Sequence, residues 1–301
     1  MQPIFHDSPH PFLRSFFIFG ISLIGFALAG AAAGALIDLL FYPGPGGFAS
    51  ILNTSPITDP NAWMPLMIFQ ACSAGFGFIL CPFLYLKFGE KKSLAVFTGK
   101  ISLPLLGLTV FIAVLFLFPL SVVVEWNEHM DFPDWMGAFK QWAVQAEESA
   151  HELTMFFTHF ETPAHFLIGL TVIAVLPAIG EELLFRGFIQ NYLWKAFRSP
   201  HAAIWATAFL FSAIHLQFFG FFPRMLLGAL FGYLYWQSGS LWIPIVGHFT
   251  NNALNLVLLY LHQLSLIKFD PDSNPHLPTY AVMLPLTAFV FLLFRFKKLA
   301  S

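Results

Sequence analysis

Charge is what this sequence has least of: 10% of its 301 residues are Asp, Glu, Lys or Arg, against about 25% in an ordinary soluble domain. A water-exposed surface cannot be covered with so few charges, which excludes a soluble enzyme and leaves a polytopic membrane protein. Cysteine is nearly missing too. Cys72 and Cys81 stand nine apart in one apolar segment, without CxxC or zinc-finger spacing, and read as two buried or lipid-facing thiols. There is no long basic run, and the net charge is -2, so nucleic acid is not expected as a partner. No internal repeat is visible.

What is present is apolar: 57% of residues are hydrophobic. Eight stretches approach the roughly 20 residues that a helix needs to cross a bilayer. They are 16–40, 64–86, 103–124, 166–194, 202–218, 222–238, 242–262 and 279–295. The expected fold is therefore all-α, a single integral membrane domain over 1–301 with about eight transmembrane helices. Arg14, the run to Ala29 and Ala31-Ala32-Ala33 look superficially like a cleavable signal. The apolar stretch continues through Phe41, however, and Gly30 with Gly34 forms a GxxxG contact, so a retained helix is expected.

Ten of the fourteen basic residues fall on one side of an eight-span arrangement. They are Arg14, Lys87, Lys91, Lys92, Lys100, Lys195, Arg198, Arg295, Lys297 and Lys298, and the Lys/Arg excess assigns that side, with both termini, to the cytoplasm. Lys140, Arg224 and Lys268 fall opposite. In the long connection Glu125 to Thr162, Trp135, Phe139, Trp142 and Ala143 recur at helical spacing, which predicts a helix lying on the membrane surface. Its histidines, among them His129, His151, His159 and His165, read as surface residues. Asp38 lies near a helix end where the interface hydrates it.

The costly residues are in the second half. Gly180-Glu181-Glu182-Leu183-Leu184-Phe185-Arg186 places three ionisable groups inside an apolar stretch, and intramembrane charges are rare and mark functional sites. Adjacent glutamates point about 100° apart on a helix, so each needs its own partner. Arg186, four residues after Glu182, is the expected partner of Glu182. Glu181 is left to face elsewhere.

Two further stretches reach the same depth. At 1.5 Å per residue from the cytoplasmic ends, Glu181 lies roughly 20 Å in, His215 roughly 24 Å, His248 roughly 15 Å and Asn252 roughly 21 Å. His248 and Asn252, four apart, share a helix face. A single intramembrane histidine is often a hydrogen bonder between helices, and Ser212 and the Gly228/Gly232 pair read as packing residues. Six polar groups converging at one depth are an expensive way merely to glue a bundle. A carboxylate beside an imidazole can deprotonate water, while a second histidine and an amide can donate to the oxyanion that forms on a peptide carbonyl. The same Glu181, His215 and His248 can instead ligate a divalent metal such as zinc. The residues leave both schemes open, although Asn252 finds its clearest role in the metal-free one.

Glu-Glu-x-x-x-Arg at 181–186, Phe-x-x-x-His at 211–215 and His-x-x-x-Asn at 248–252, in that order on separate apolar helices, resemble the three motifs of the CPBP, or Abi, family. That family contains intramembrane endopeptidases similar to the type II CAAX prenyl proteases, and some bacterial members are linked to bacteriocin processing or self-immunity. The resemblance covers 166–262 and implies a catalytic core there. It implies that Glu181 and His215 activate water, that His248 and Asn252 bind the oxyanion, and that Glu182 and Arg186 support the geometry. It further implies a membrane-associated or lipidated protein or peptide as substrate, and a multi-pass protein in a bacterial cytoplasmic membrane. Two other classes fit the same intramembrane charges: a proton-coupled transporter using Glu181 and the histidines as a relay, and a catalytically silent peptide-binding adaptor.

Overall fold

The computed structural model describes residues 2–300 except 6, 45, 53, 55, 56, 58, 100, 101 and 270–277; Lys100 of the basic cluster lies outside the described residues. Among the described residues there are helices and no strands. In chain order they are α1 (Pro11–Phe41), the short α2 (Gly47–Leu52), α3 (Pro60–Gly89), the short α4 (Ala95–Thr98), α5 (Leu103–Glu128), α6 (Gly137–Thr158), α7 (Pro163–Phe197), α8 (Pro200–Ala213), α9 (Phe221–Ser238), α10 (Trp242–Gln263) and α11 (Thr279–Ala300). Backbone polar groups in lipid have no water to bond, so helices that satisfy their own N–H and C=O groups are the form such apolar segments take.

α1, α3, α5, α7 and α11 are long and apolar enough to cross a membrane. This is an integral membrane protein. Each of the eight expected stretches overlaps one of the helices from α1 to α11, and the connection expected to hold a helix forms α6. The outer faces of the bundle carry Phe17, Leu28, Leu103, Phe111, Leu284, Phe291 and Phe294, all exposed. In water such a belt would drive aggregation; around a membrane helix it is the surface wetted by lipid tails.

α7 is the axis. Its second half is buried around its whole circumference, the apolar Leu184, Phe185, Phe188, Ile189 and Tyr192 together with the polar Glu182, Arg186, Gln190 and Asn191. The apolar five form one cluster with Phe5, Phe97, Tyr235 and Leu241, so α7 is enclosed by α1, α3, α8, α9 and α10. Gly228 and Gly232 act as spacers. A Cβ on Gly228 would lie 3.3 Å from Ala208 Cα, and one on Gly232 2.9 Å from an Ile204 methyl. The expected packing role of this GxxxG pair therefore has a physical basis in the close approach of α8 to α9.

One boundary differs from the sequence reading. The span expected over 202–218 ends at Ala213, because Ile214 and His215 turn away and Leu216 takes a left-handed backbone, with a φ of 55°, that a right-handed helix cannot contain. His215 therefore projects from the turn after α8 and not from a helix interior.

Candidate active site

The site begins with a proline. Pro177 has no N–H, so it cannot bond the carbonyl of Ile173 four residues earlier. α7 widens at this point: the Leu176 N–H reaches back five residues to the Thr171 carbonyl. A second wide turn follows, where the Gln190 N–H bonds the Phe185 carbonyl. Glu181 and Glu182 lie between the two, and such local widenings recur at functional sites. Asn252, on α10, donates its Nδ2 to the freed Ile173 carbonyl at 3.4 Å. Gly180 lets α7 press on α3, since a Cβ there would lie 2.9 Å from Phe78 Cβ.

Glu182 and Arg186 form the ion pair expected from their spacing. Both are fully buried, and Arg186 Nη1 donates to Glu182 Oε1 at 2.8 Å. The same oxygen receives His248 Nδ1 at 2.9 Å. Arg186 Nη2 then donates to the Gly228 carbonyl at 2.8 Å, and Gln190, one turn further, donates to the Gly232 carbonyl at 3.1 Å. The two side chains, four apart on α7, thus meet two carbonyls four apart on α9. One carboxylate ties three helices together. Rings close the group off: the Arg186 guanidinium lies 4.9 Å over Phe211, and Phe231 stacks on His248 at 5.7 Å.

Glu181 faces the other way. Its Oε2 lies 4.0 Å from His248 Nε2, a gap that a substrate oxygen or a water can bridge. With Nδ1 held by the Glu182 carboxylate, His248 has its ring orientation fixed. His215 is oriented differently, with Nδ1 bonded to the Phe211 carbonyl at 2.9 Å. A carbonyl only accepts, so that nitrogen carries the proton and Nε2 of neutral His215 is an acceptor.

Glu181, His215, His248 and Asn252 line one cavity of about 700 Å³. Its walls also hold Glu128, Glu147, His151 and Arg224, which the sequence reading did not select. His151 was expected on the surface; it is exposed, but on the cavity rim. Glu147 and His151 are four apart on α6, so the amphipathic pattern carried a signal for them: their shared face turns to the cavity. Glu147 is half-buried, and burial pushes its carboxyl above the usual range while Arg224 pulls it down. Gln217 links the two, donating to Glu147 Oε1 at 3.3 Å and accepting from Arg224 Nη2 at 2.9 Å.

Zinc places specific demands on these residues. Each histidine has Nδ1 held and Nε2 unbonded, a pattern shared by metal ligands and by free acid–base groups. Convergence is the distinguishing test, and among the described residues no three His, Cys, Asp or Glu side chains come close enough to hold a metal. The arrangement of Glu181, His215 and His248 therefore does not fit a three-ligand zinc site.

Residues 163–254 match the family model described as "Type II CAAX prenyl endopeptidase Rce1-like". Over 86 residues the chain is 28% identical to "Uncharacterized protein YpbD" of Bacillus subtilis (strain 168), a stretch that is 27% of this chain and 41% of that protein. No solved structure matches. The matched segment opens on the first residue of α7 and closes two residues after Asn252, so it contains every motif residue and none of the first three long helices. The similarity to the Rce1-like type II CAAX prenyl endopeptidases is thus a similarity of residues 163–254, the segment that holds the three motifs.

Proposed function

We propose that this protein is an intramembrane endopeptidase whose catalytic core is 166–262, cleaving a membrane-associated protein or peptide with a water activated by Glu181 and His215. The observation that carries this reading is the shared cavity: a carboxylate, two differently oriented imidazoles and a carboxamide from α7, the turn after α8 and α10 face one space. Glu181 is free of the Arg186 pair and accepts the water proton. His215 Nε2, an acceptor, orients the water. As the water oxygen attacks the peptide carbonyl, charge grows on the carbonyl oxygen, and His248, protonated on Nε2 as well as on the Nδ1 bonded to Glu182, donates to it together with the remaining Asn252 N–H. Collapse of the tetrahedral intermediate breaks the C–N bond, and the proton held by Glu181 passes to the departing amine. No nucleophilic Ser or Cys takes part, and no step is routed through a metal.

Glu182 and Arg186 do not touch the reacting atoms in this scheme; they hold His248. The family's name supplies a lipidated CAAX protein as one substrate class, and the site chemistry serves any peptide bond brought to Glu181. The test is a cleavage screen of the purified protein against membrane-peptide libraries, with Glu181→Ala alongside. Cleavage is expected from the native protein and lost in the variant. Cleavage that survives Glu181→Ala removes Glu181 from the mechanism, and proton-linked solute uptake without cleavage favours a transporter.

A further inference from the structure

The cavity and the main cluster of basic residues lie at opposite ends of the bundle. At one end, Arg14 bonds Glu90, the Ile4 N–H donates to Asn191 Oδ1 at 3.1 Å, and Ser240 Oγ donates to the Thr98 carbonyl at 3.0 Å. These bonds bring together the N-terminal residues, the α3–α5 connection, the end of α7 and the α9–α10 turn. Lys87, Lys91, Lys92, Lys195 and Arg198 belong to that cap. Phe296 of α11 packs in one cluster with Leu105 at the start of α5, which adds Arg295, Lys297 and Lys298 to the same end.

The cavity occupies the other half. Its lining on α5 starts at Leu117, after the midpoint; on α9 it stops at Phe231; and on α10 it runs from His248 towards the C-terminal end. Glu128, His151 and Asn255, the exposed members of the lining, mark the mouth. Between Glu181 and the basic cap the bundle is solid. Phe185, Phe188 and Tyr192 of α7 pack there with Phe97 and Leu241, and Phe5 closes the end by stacking on Tyr192 at 4.4 Å.

Lys and Arg flanking membrane helices are retained in the cytoplasm. We infer that the cavity opens on the non-cytoplasmic face, so that the scissile peptide reaches Glu181 from that side, past α6. The inference rests on the endopeptidase reading for its substrate, and on charge and packing alone for its direction. The substrate class that follows is an exported peptide or a membrane protein segment presented beyond the cytoplasmic leaflet. A C-terminal motif displayed in the cytoplasm would meet the aromatic plug and not the cavity.

The experiment uses the full chain in spheroplasts of a bacterial host, with Cys72→Ala and Cys81→Ala as background. Single His151→Cys, Asn255→Cys and Lys91→Cys variants are exposed to a membrane-impermeant maleimide before and after lysis, with labelling in detergent as the reference. Labelling of His151→Cys and Asn255→Cys in intact spheroplasts, with Lys91→Cys labelled only after lysis, is the expected result. The reverse pattern, labelling of all three from one side, or mouth cysteines that stay unlabelled even in detergent each overturn the inference. Cleavage is not read in this experiment. A correct direction with no peptidase activity, and an active peptidase with the opposite direction, are therefore separate outcomes.

Discussion

Glu181 and Glu182 are neighbours of identical chemistry with different tasks, and the difference lies in what each oxygen touches. Glu182 Oε1 is shared by Arg186 and His248, so its charge is spent on structure. Removing one member of a buried ion pair strands the other, at about 3–5 kcal/mol. Arg186→Ala is expected to lower folded yield and thermal stability by that order, and to lower activity with it. An inactive Arg186→Ala of native stability would point to substrate binding at Arg186 instead. His248→Ala separates the two chemical schemes. As an oxyanion donor its loss is expected to lower turnover by roughly 10²- to 10³-fold with metal content unchanged. Zinc that is stoichiometric in active protein, lost with activity on chelation and restored by zinc alone, would replace the water-only scheme by a metal-dependent one.

Among the elements, α7 shows what the sequence made legible and what it hid. The i, i+4 spacing of Glu182 and Arg186 is a property of any helix, and it foretold their contact. The partner of Glu182 on α10 was hidden, because a pairing between His248 and residue 182 depends on how two helices pack and leaves no mark in local spacing. Pro177 was visible as a residue but its consequence was not: the carbonyl it frees belongs to Ile173, and Asn252, 79 positions away in sequence, is what finds it. Glu147, His151 and Arg224 were overlooked for a related reason. The segment of Glu147 and His151 read as interfacial and Arg224 as a basic residue at the end of a span, and only the folded chain turns all three to the cavity. An expectation follows for Pro177→Ala. The new N–H at 177 competes for the Ile173 carbonyl and narrows the turn, so Asn252 loses its tether while the helix gains a bond. Turnover should fall with thermal stability unchanged or raised; turnover at the native level would mean that Asn252 needs no such anchor.

For the whole molecule the open quantity is how many helices cross. Length and hydropathy alone qualify α1, α3, α5, α7 and α11. α8, with 14 residues, is about 21 Å long at 1.5 Å per residue, short of a hydrocarbon core of about 30 Å. A helix that lines a polar cavity does not need the lipid-facing hydropathy of an outer helix, since its inner face meets protein and water. α8, α9 and α10 supply cavity walls and pack on α7, so protein contact and not lipid-facing hydropathy is what their sequences serve. The α8–α9 turn is polar, with Gln217 accepting from Arg224 in the first turn of α9, so in an eight-span arrangement this short crossing would end in the cavity mouth and not in lipid. Eight crossings return the chain to the side on which it began. Single Lys91→Cys and Lys297→Cys variants in the cysteine-free background should therefore be protected from an impermeant maleimide together, and become labelled together on lysis. Labelling of one without the other before lysis would require an odd number of crossings between α3 and the end of α11, which the walls of the cavity, built from α7 to α10 as a unit, do not accommodate.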